Sequence, residues 1–166
     1  MRLSQSHRTG SSRKETIVLF SAAGFVFAIP ARAVDEVREV AGLREFSGRS
    51  AKVQHTLDRQ GQRYFVVDAA RHFRLHSQNP GRLLLLRHAP VAVLVDGIDR
   101  MQEIQSIYEL PPAFIGEERA WYRGLTLVKS KVIPVVHPEA FLSKAEVTLL
   151  NASAHNYSLR SAAVTA

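Results

Sequence analysis

Two stretches of the chain repeat each other, and this repetition limits the folds that the sequence can adopt. Residues 63–73 (RYFVVDAARHF) align with residues 132–142 (VIPVVHPEAFL) at an offset of 69, which places Val66 over Val135. A repeat of this kind predicts that one structural unit occurs twice and that the two copies pack together.

A second alignment, nearer the start of each copy, has a slightly smaller offset. Residues 25–37 lie over residues 89–101 at an offset of 64, and Val34 falls opposite Ile98. Both offsets keep the order of the segments, so the sequence predicts a duplicated β unit of about 65 residues.

The apolar segments alternate with short turns, which is the pattern of β-hairpins. Four hairpins are predicted, at residues 17–29, 53–67, 83–95 and 122–136. Short helices are expected at 69–75 and 138–144. The aromatic candidates for the core are Phe20, Phe25, Phe27, Tyr64 and Phe65. About five short strands in each copy suit a small closed barrel, which hides its strand edges.

The net charge of +7 is concentrated at the amino-terminal end of the chain. Residues 1–14 carry four basic side chains and no acidic one, so they are expected to form a disordered basic tail. Residues 15–145 are expected to be one domain, with intertwined copies at about 15–75 and 82–145. Residues 146–166, rich in Ser and Ala, are expected to be a terminal helix or tail.

An uncharged stretch at residues 16–31 follows the basic start and resembles a secretory signal. Cleavage after residue 33 would remove the first hairpin while its equivalent at 83–95 remained. The barrel would then expose an edge and half of its core, so retention and a cytoplasmic location are predicted.

Neither metal chemistry nor catalysis is indicated by the remaining residues. The chain has no cysteine, which excludes disulfides, thiolate zinc sites and cysteine nucleophiles. His72 and His76 have helical spacing but lack further ligands, so they are predicted to be surface histidines at a helix end. Asp68 is predicted to cap that helix. We therefore expect a protein that is not an enzyme and has no catalytic residues, metal or cofactor.

The order of the apolar segments resembles the chemotaxis coupling protein family, CheW, over residues 15–145. The marks are V-x-E-V at Val34–Val37, G-x(4)-VVD at Gly61–Asp68, and Val95-Asp96-Gly97 followed by Ile98. The resemblance implies a mostly β fold of two packed five-stranded SH3-like barrels with short helices, in agreement with the duplication.

The resemblance also implies a function and a set of contact residues. Such proteins are adaptors that bind the regulatory domain of a CheA-type histidine kinase and the cytoplasmic tip of chemoreceptors, without nucleic acid and without insertion into a membrane. Glu36 and Val37 match a family segment implicated in contacts. Asp96 and Gly97 match the family turn after the second-copy hairpin.

The chain departs from the family at a receptor- or kinase-coupling position. The family pattern G-x(4)-R-G has His55 at its first glycine and Gln60 at its arginine, before Gly61. Arg59 is adjacent, but neighbouring strand residues face opposite sides, so it substitutes only if the turn at 59–62 changes register.

This departure leaves other functions open. One alternative is a divergent member of a non-flagellar, pili-linked pathway that binds a kinase but not receptors. A lesser alternative is a small-barrel protein that binds nucleic acid through its basic tail.

Overall fold

The described residues of the chain form eleven short strands and three α-helices. The computed structural model describes the backbone of residues 14–164 and the side chains of this range other than 157–161 and 164. The basic tail expected at residues 1–14 lies outside the described residues except for Lys14. The first half contributes β1 (Glu15–Ala22), β2 (Phe25–Pro30), β3 (Val34–Glu39), β4 (Arg44–Glu45), β5 (Val53–Arg59), β6 (Gln62–Asp68) and α1 (Ala69–His72).

The second half of the chain repeats this order of strands. It contributes β7 (Arg82–Leu86), β8 (Val91–Val95), β9 (Gly97–Ile104), α2 (Glu118–Trp121), β10 (Tyr122–Val128), β11 (Lys131–Val136) and α3 (Lys144–Val164). Turns of 3-10 helix at Ala31–Ala33 and Pro138–Ala140 follow β2 and β11. All four predicted hairpins are confirmed, as β1–β2, β5–β6, β7–β8 and β10–β11.

Each of the two sheets combines strands from both halves of the chain. The six-stranded sheet has the order β3-β7-β8-β6-β5-β4, and the five-stranded sheet has the order β10-β11-β2-β1-β9. The first hairpin of each half has therefore moved into the sheet of the other half. In both sheets this exchanged hairpin joins its neighbour through a parallel pair, β6 with β8 and β2 with β11.

The registers of the two parallel pairs follow the sequence offsets. Val66 lies opposite Ala92 in the six-stranded sheet, and Val135 lies opposite Ala28 in the five-stranded sheet. Val66 and Val135 differ by 69, and Ala28 and Ala92 differ by 64. The internal repeat of the sequence is thus a repeat of hydrogen-bonding register.

The match of Val34 with Ile98 is wrong by three residues. Val37 lies opposite Leu84, and Ile98 lies opposite Phe20, the residue that corresponds to Leu84. Both pairings contain a bulge, β3 with β7 and β1 with β9. The 3-10 turn Ala31–Ala33 makes the connection from β2 to β3 two residues longer than the connection from β8 to β9, and the bulge in β3 adds one more residue, so a constant sequence offset cannot follow the register.

Three apolar cores result from this arrangement. One lies inside the curl of the five-stranded sheet, around Leu19, Ala28 and Val135, and another lies inside the six-stranded sheet, around Leu83 and Val66. The largest is shared by the outer faces of both sheets and by α3. Its members include Phe20, Phe27, Phe65, Leu84, Val93, Val136, Phe141 and Leu150.

Several details differ from the expectations. Phe25 is 58% exposed rather than buried, because it begins β2 directly after the hairpin turn. One sheet has six strands rather than five, because β4 adds a two-residue edge strand. In each described sheet the first and last strands of the hydrogen-bonded order are edge strands, so the pairing does not close into the expected barrel. The helix α1 ends at His72, and the helix expected at 138–144 is a 3-10 turn at Pro138–Ala140, after which α3 begins at Lys144.

The helix α3 begins at a capping box and is anchored by its buried face. The Glu146 amide donates to the Ser143 hydroxyl at 3.1 Å, and the Glu146 carboxylate accepts from the Ser143 amide at 3.2 Å. Leu150 and Ala154 are buried. In the described part of the chain, no helix combines the length and the apolar character needed to cross a membrane.

Candidate functional site

Glu36 and Val37 lie on β3, an edge strand of the six-stranded sheet. Burial alternates along β3, so Val37 is 45% exposed on one face while Glu36 points to the other. Glu36 lies opposite Leu85, which belongs to the interior of that sheet. β3 therefore presents an apolar side chain outward and a carboxylate at the end of the sheet's interior.

The Glu36 carboxylate accepts a hydrogen bond from Nε of Arg59 at 2.8 Å. This bond raises the pKa of Arg59 above its ordinary value. Arg59 ends β5, the second strand from one end of the hydrogen-bonded order, whereas β3 is the edge strand at the other end, so the bond links opposite sides of a strongly curled sheet. Charge and hydrogen bonding thus join the family contact segment to the β5–β6 hairpin.

The turn between β5 and β6 consists of Gln60 and Gly61. Both have positive φ, 51° and 78°, and Arg59 pairs with Gln62 across the turn, which is the geometry of a two-residue type I′ hairpin. Gln60 is exposed at the tip. Arg59, two residues beyond the buried Leu57 and on the same face, makes the bond to Glu36, while Gln60 occupies the position of the family arginine.

His55 lies further along β5, away from this ion pair. It pairs with Glu45 of β4 and with Val66 of β6, and it is half-buried. At the equivalent position of the five-stranded sheet, a Cβ on Gly124 would collide with the backbone carbonyl of Tyr108. His55 follows a register shift in the pairing of β5 with β6, and its half-buried side chain stands where the family has a glycine.

Asp96 and Gly97 lie where β8 passes into β9, and they bind the β1–β2 hairpin. The Asp96 carboxylate accepts from the Ala23 amide at 2.8 Å, and the Asp96 amide donates to the Ser21 carbonyl at 2.9 Å. These bonds join the two sheets at the first turn of the chain. Glu36, Val37, Gln60 and Gly61 are thus grouped around one ion pair, while Asp96 and Gly97 form a separate structural link.

A groove of about 490 Å³ lies beside the start of β3, where the connection between the two sheets passes. We call it the connector groove. Residues of both sheets line it, including Pro30, Ala33, Leu86, Ala89, Arg123 and His137. The Arg87 guanidinium holds its wall by donating to the carbonyls of Arg32 and Val34, each at 3.1 Å. A fixed, partly apolar groove of this kind suits a rod-shaped partner such as a helix.

His72 is not the surface residue that its spacing predicted. Its ring lies against Phe141, Phe73 and Trp121, with centroid distances of 4.8, 5.0 and 5.7 Å. Burial, reinforced by the nearby charge of Lys52, lowers its pKa to about 4. His76 is exposed and lies beyond the helix end, so the two rings do not share a helix face.

Asp68 caps α1 as predicted, and its carboxylate accepts from the amides of Ala70 and Arg71. Among residues 14–164 whose side chains are described, no group of three or more His, Asp or Glu side chains lies close enough together to hold a metal. The polar groups singled out in the sequence therefore support local structure or surface contacts.

Comparisons with known proteins agree with this architecture. The scaffolding protein TtCheW from Thermoanaerobacter tengcongensis has a crystal structure that superimposes with a TM-score of 0.68 at 18% sequence identity, over 75% of this chain and 90% of that one. A search of curated protein sequences returns no match. A family model for the CheW-like domain matches residues 16–146. The chain therefore belongs to the CheW-like domain family.

Proposed function

We propose that this protein couples chemoreceptors to a CheA-type histidine kinase in the cytoplasm. The CheW-like family consists of non-catalytic scaffold proteins of chemotaxis signalling, which supports an adaptor role for this chain. The observation that carries the specific proposal is the grouping of Glu36, Val37, Gln60 and Gly61 around the Arg59 ion pair, beside the connector groove.

The kinase docks on the β3 edge of the six-stranded sheet in this proposal. Val37 and Val40 are 45% and 36% exposed there, and the β5–β6 turn lies at the end of the same sheet. The regulatory domain of such a kinase is itself a double barrel, so strand ends of similar shape meet. Small, reversible interfaces between proteins are expected to have dissociation constants of about micromolar strength.

The receptor tip is proposed to occupy the connector groove. Its two walls come from different sheets, so a helix lying in it contacts both, and a change in helix position is passed to the β3 edge through the Arg87 contacts. Arg59 then stabilises the kinase-binding edge, since its bond to Glu36 fixes β3, which begins directly after Ala33 of the connector groove.

The test is binding of the purified full-length protein to a kinase regulatory domain and, separately, to a receptor hairpin tip. Val37→Asp places a charge in the β3 interface and is expected to weaken kinase binding about tenfold or more, with receptor binding retained. Ala89→Glu places a charge in the connector groove and is expected to have the opposite effect. Met101→Asp, on the edge strand of the other sheet, is the matched control and leaves both affinities unchanged.

The divergent, pili-linked alternative is favoured by the exposed Gln60 at the position of the family arginine. It predicts kinase binding without receptor binding in the wild-type protein, and Gln60→Arg then restores receptor affinity. Absence of binding to any kinase regulatory domain refutes both versions. Strong, salt-sensitive binding to nucleic acid that disappears without residues 1–14 would favour the remaining alternative.

A further inference from the structure

A second groove, separate from the connector groove, lies at the end of the five-stranded sheet. It has a volume of about 760 Å³ and we call it the basic groove. Its apolar wall includes Phe25, Val26, Phe114, Trp121, Tyr122 and Val132. Phe25, Val26 and Val132 are between 44% and 62% exposed, which leaves large apolar side chains facing solvent.

Arg100 lies in this groove with an unsatisfied guanidinium. It pairs with Leu19 across β9 and β1, so its side chain is on the face of the sheet's interior. Its Nε is buried and has no hydrogen-bond partner among the described residues. A buried donor on a cation is costly to leave unpaired, so the site is built for an acceptor.

The internal repeat shows how the surroundings of Arg100 differ from those of its counterpart in the other sheet. Arg38 occupies the equivalent position in the six-stranded sheet, since it pairs with Leu83, the counterpart of Leu19. There, Glu36 lies two residues before Arg38 on the same face, and its carboxylate binds Arg59. The five-stranded sheet keeps the cation but has lost this acid.

The strand registers identify the residues of the five-stranded sheet that replace Glu36 and Arg59. Gly97 replaces Glu36, because Gly97 lies opposite Ser21 and Glu36 lies opposite Leu85, the counterpart of Ser21. Val128 occupies the position in β10 that Arg59 occupies in β5. At Gly97, β9 therefore supplies no carboxylate on the face that carries Arg100, and the nearest side-chain atom to Gly97 is the Ser21 hydroxyl.

Lysines add to the positive charge at this groove. Lys129 and Lys131 flank it at the β10–β11 turn, and Lys129 has a positive φ of 49°. Asp99 and Glu118 also line it, so the groove as a whole is only weakly positive. Asp99 and Glu118 repel a flat anionic surface such as a membrane. A single carboxylate that enters the groove, in contrast, is able to reach Arg100.

We propose that the basic groove binds an acidic amphipathic segment of a protein partner, with one carboxylate on Arg100 and neighbouring apolar side chains against the exposed aromatic wall. The groove is too large and too apolar for a small carboxylate to fill. This surface is distinct from the β3 edge and the connector groove, and it does not depend on the function proposed for them.

The experiment uses the full-length protein and a pair of short, labelled synthetic peptides. Both peptides carry the same leucine and phenylalanine residues, and they differ only by glutamate or glutamine at one position. The glutamate peptide is expected to bind about tenfold more tightly, because a charge-assisted hydrogen bond is added. An NMR shift of the Arg100 Nε–H group, seen only with the glutamate peptide, locates the contact in the unmodified protein.

Variants test the assignment of the carboxylate to Arg100. Arg100→Gln should abolish the difference between the two peptides, and Lys131→Gln should reduce it less. Arg38→Gln, at the equivalent position of the other sheet, is the matched control and should leave it unchanged.

Four results overturn the proposal. Equal binding of the two peptides, or binding of neither, removes the carboxylate or the groove as a site for acidic segments. Free glutamate that binds as tightly as the peptide indicates a small-molecule site instead. Binding to phosphatidylglycerol vesicles that ignores Arg100→Gln indicates a lipid surface.

Discussion

At the scale of single residues, environment decides the chemical role of the histidines in this protein. His72 is enclosed by three aromatic rings, and its Nε2 is buried without a hydrogen-bond partner among the described residues. The neutral ring is a packing element in this position, and protonation would place a charge in an apolar cluster. Exposed His76, four residues later, has no such constraint.

We predict that His72 makes the protein less stable as the pH falls from about 6.5 to about 4. Its pKa is about 4 in the folded protein and about 6.5 in the unfolded chain, so the unfolded state binds more protons in this window. The loss should be on the order of 2–3 kcal/mol, and it should level off below the folded pKa. Urea denaturation at a series of pH values measures it.

The controls separate this effect from general acid denaturation. His72→Phe keeps a ring in the cluster but cannot be protonated, so its stability should depend less steeply on pH than that of the wild type. His76→Gln should follow the wild-type curve. Identical curves for all three proteins would contradict the burial of His72.

At the scale of elements, sequence patterns define the hairpins but not their partners. Alternating apolar residues and short turns indicate where β5 and β6 run, because both signals are local. Which strand lies beside β2 depends on contacts between distant segments, and nothing in the alternation at residues 25–29 specifies β11. The local sequence pattern therefore does not predict the exchange of hairpins, which only the structure shows.

The candidate site likewise contains some features that local sequence patterns indicate and others that only the structure shows. The alternation from Leu57 to Arg59 indicates that Arg59 faces the interior of the sheet, a signal that the family comparison at Gln60 obscured. The capping box at Ser143 and Glu146 likewise marks the start of α3. The missing acid beside Arg100, in contrast, is visible only through the bulged registers of β1 with β9 and β3 with β7.

We predict that Asp96 is a structural link between the sheets and not a contact residue. Asp96→Ala removes the acceptor for the Ala23 amide and should lower the free energy of unfolding by about 1–2 kcal/mol. Asp96→Asn retains an acceptor and should lose less. Kinase and receptor binding of the folded Asp96→Ala protein should equal that of the wild type, and a specific loss of either would make Asp96 a contact residue.

At the scale of the whole molecule, the exchange of hairpins makes each half of the chain dependent on the other. The half that ends near residue 77 lacks β7 and β8, the centre of its own sheet, and it carries β1 and β2 with no sheet to join. In this half of the chain alone, the apolar outer faces of β1 and β2 would be exposed to solvent.

We predict that the chain can be divided in the exposed loop between Ser77 and Gln78 without loss of the fold. Each fragment alone should be unfolded or aggregated, because its central strands are missing. Mixed after denaturation, the two fragments should form a one-to-one complex with the circular dichroism spectrum of the intact protein. A fragment that folds alone, shown by a cooperative thermal transition, would contradict the exchange.

The exchange also sets an order of events during synthesis on the ribosome. All strands of the six-stranded sheet have been translated once residue 95 emerges, so this sheet is able to form while the rest of the chain is still being made. β1 and β2 emerge first but must wait for β11, which ends at Val136, before their sheet is complete. The hairpin of β1 and β2 is therefore translated before the strands it joins, and it is among the last of the described strands to find its place.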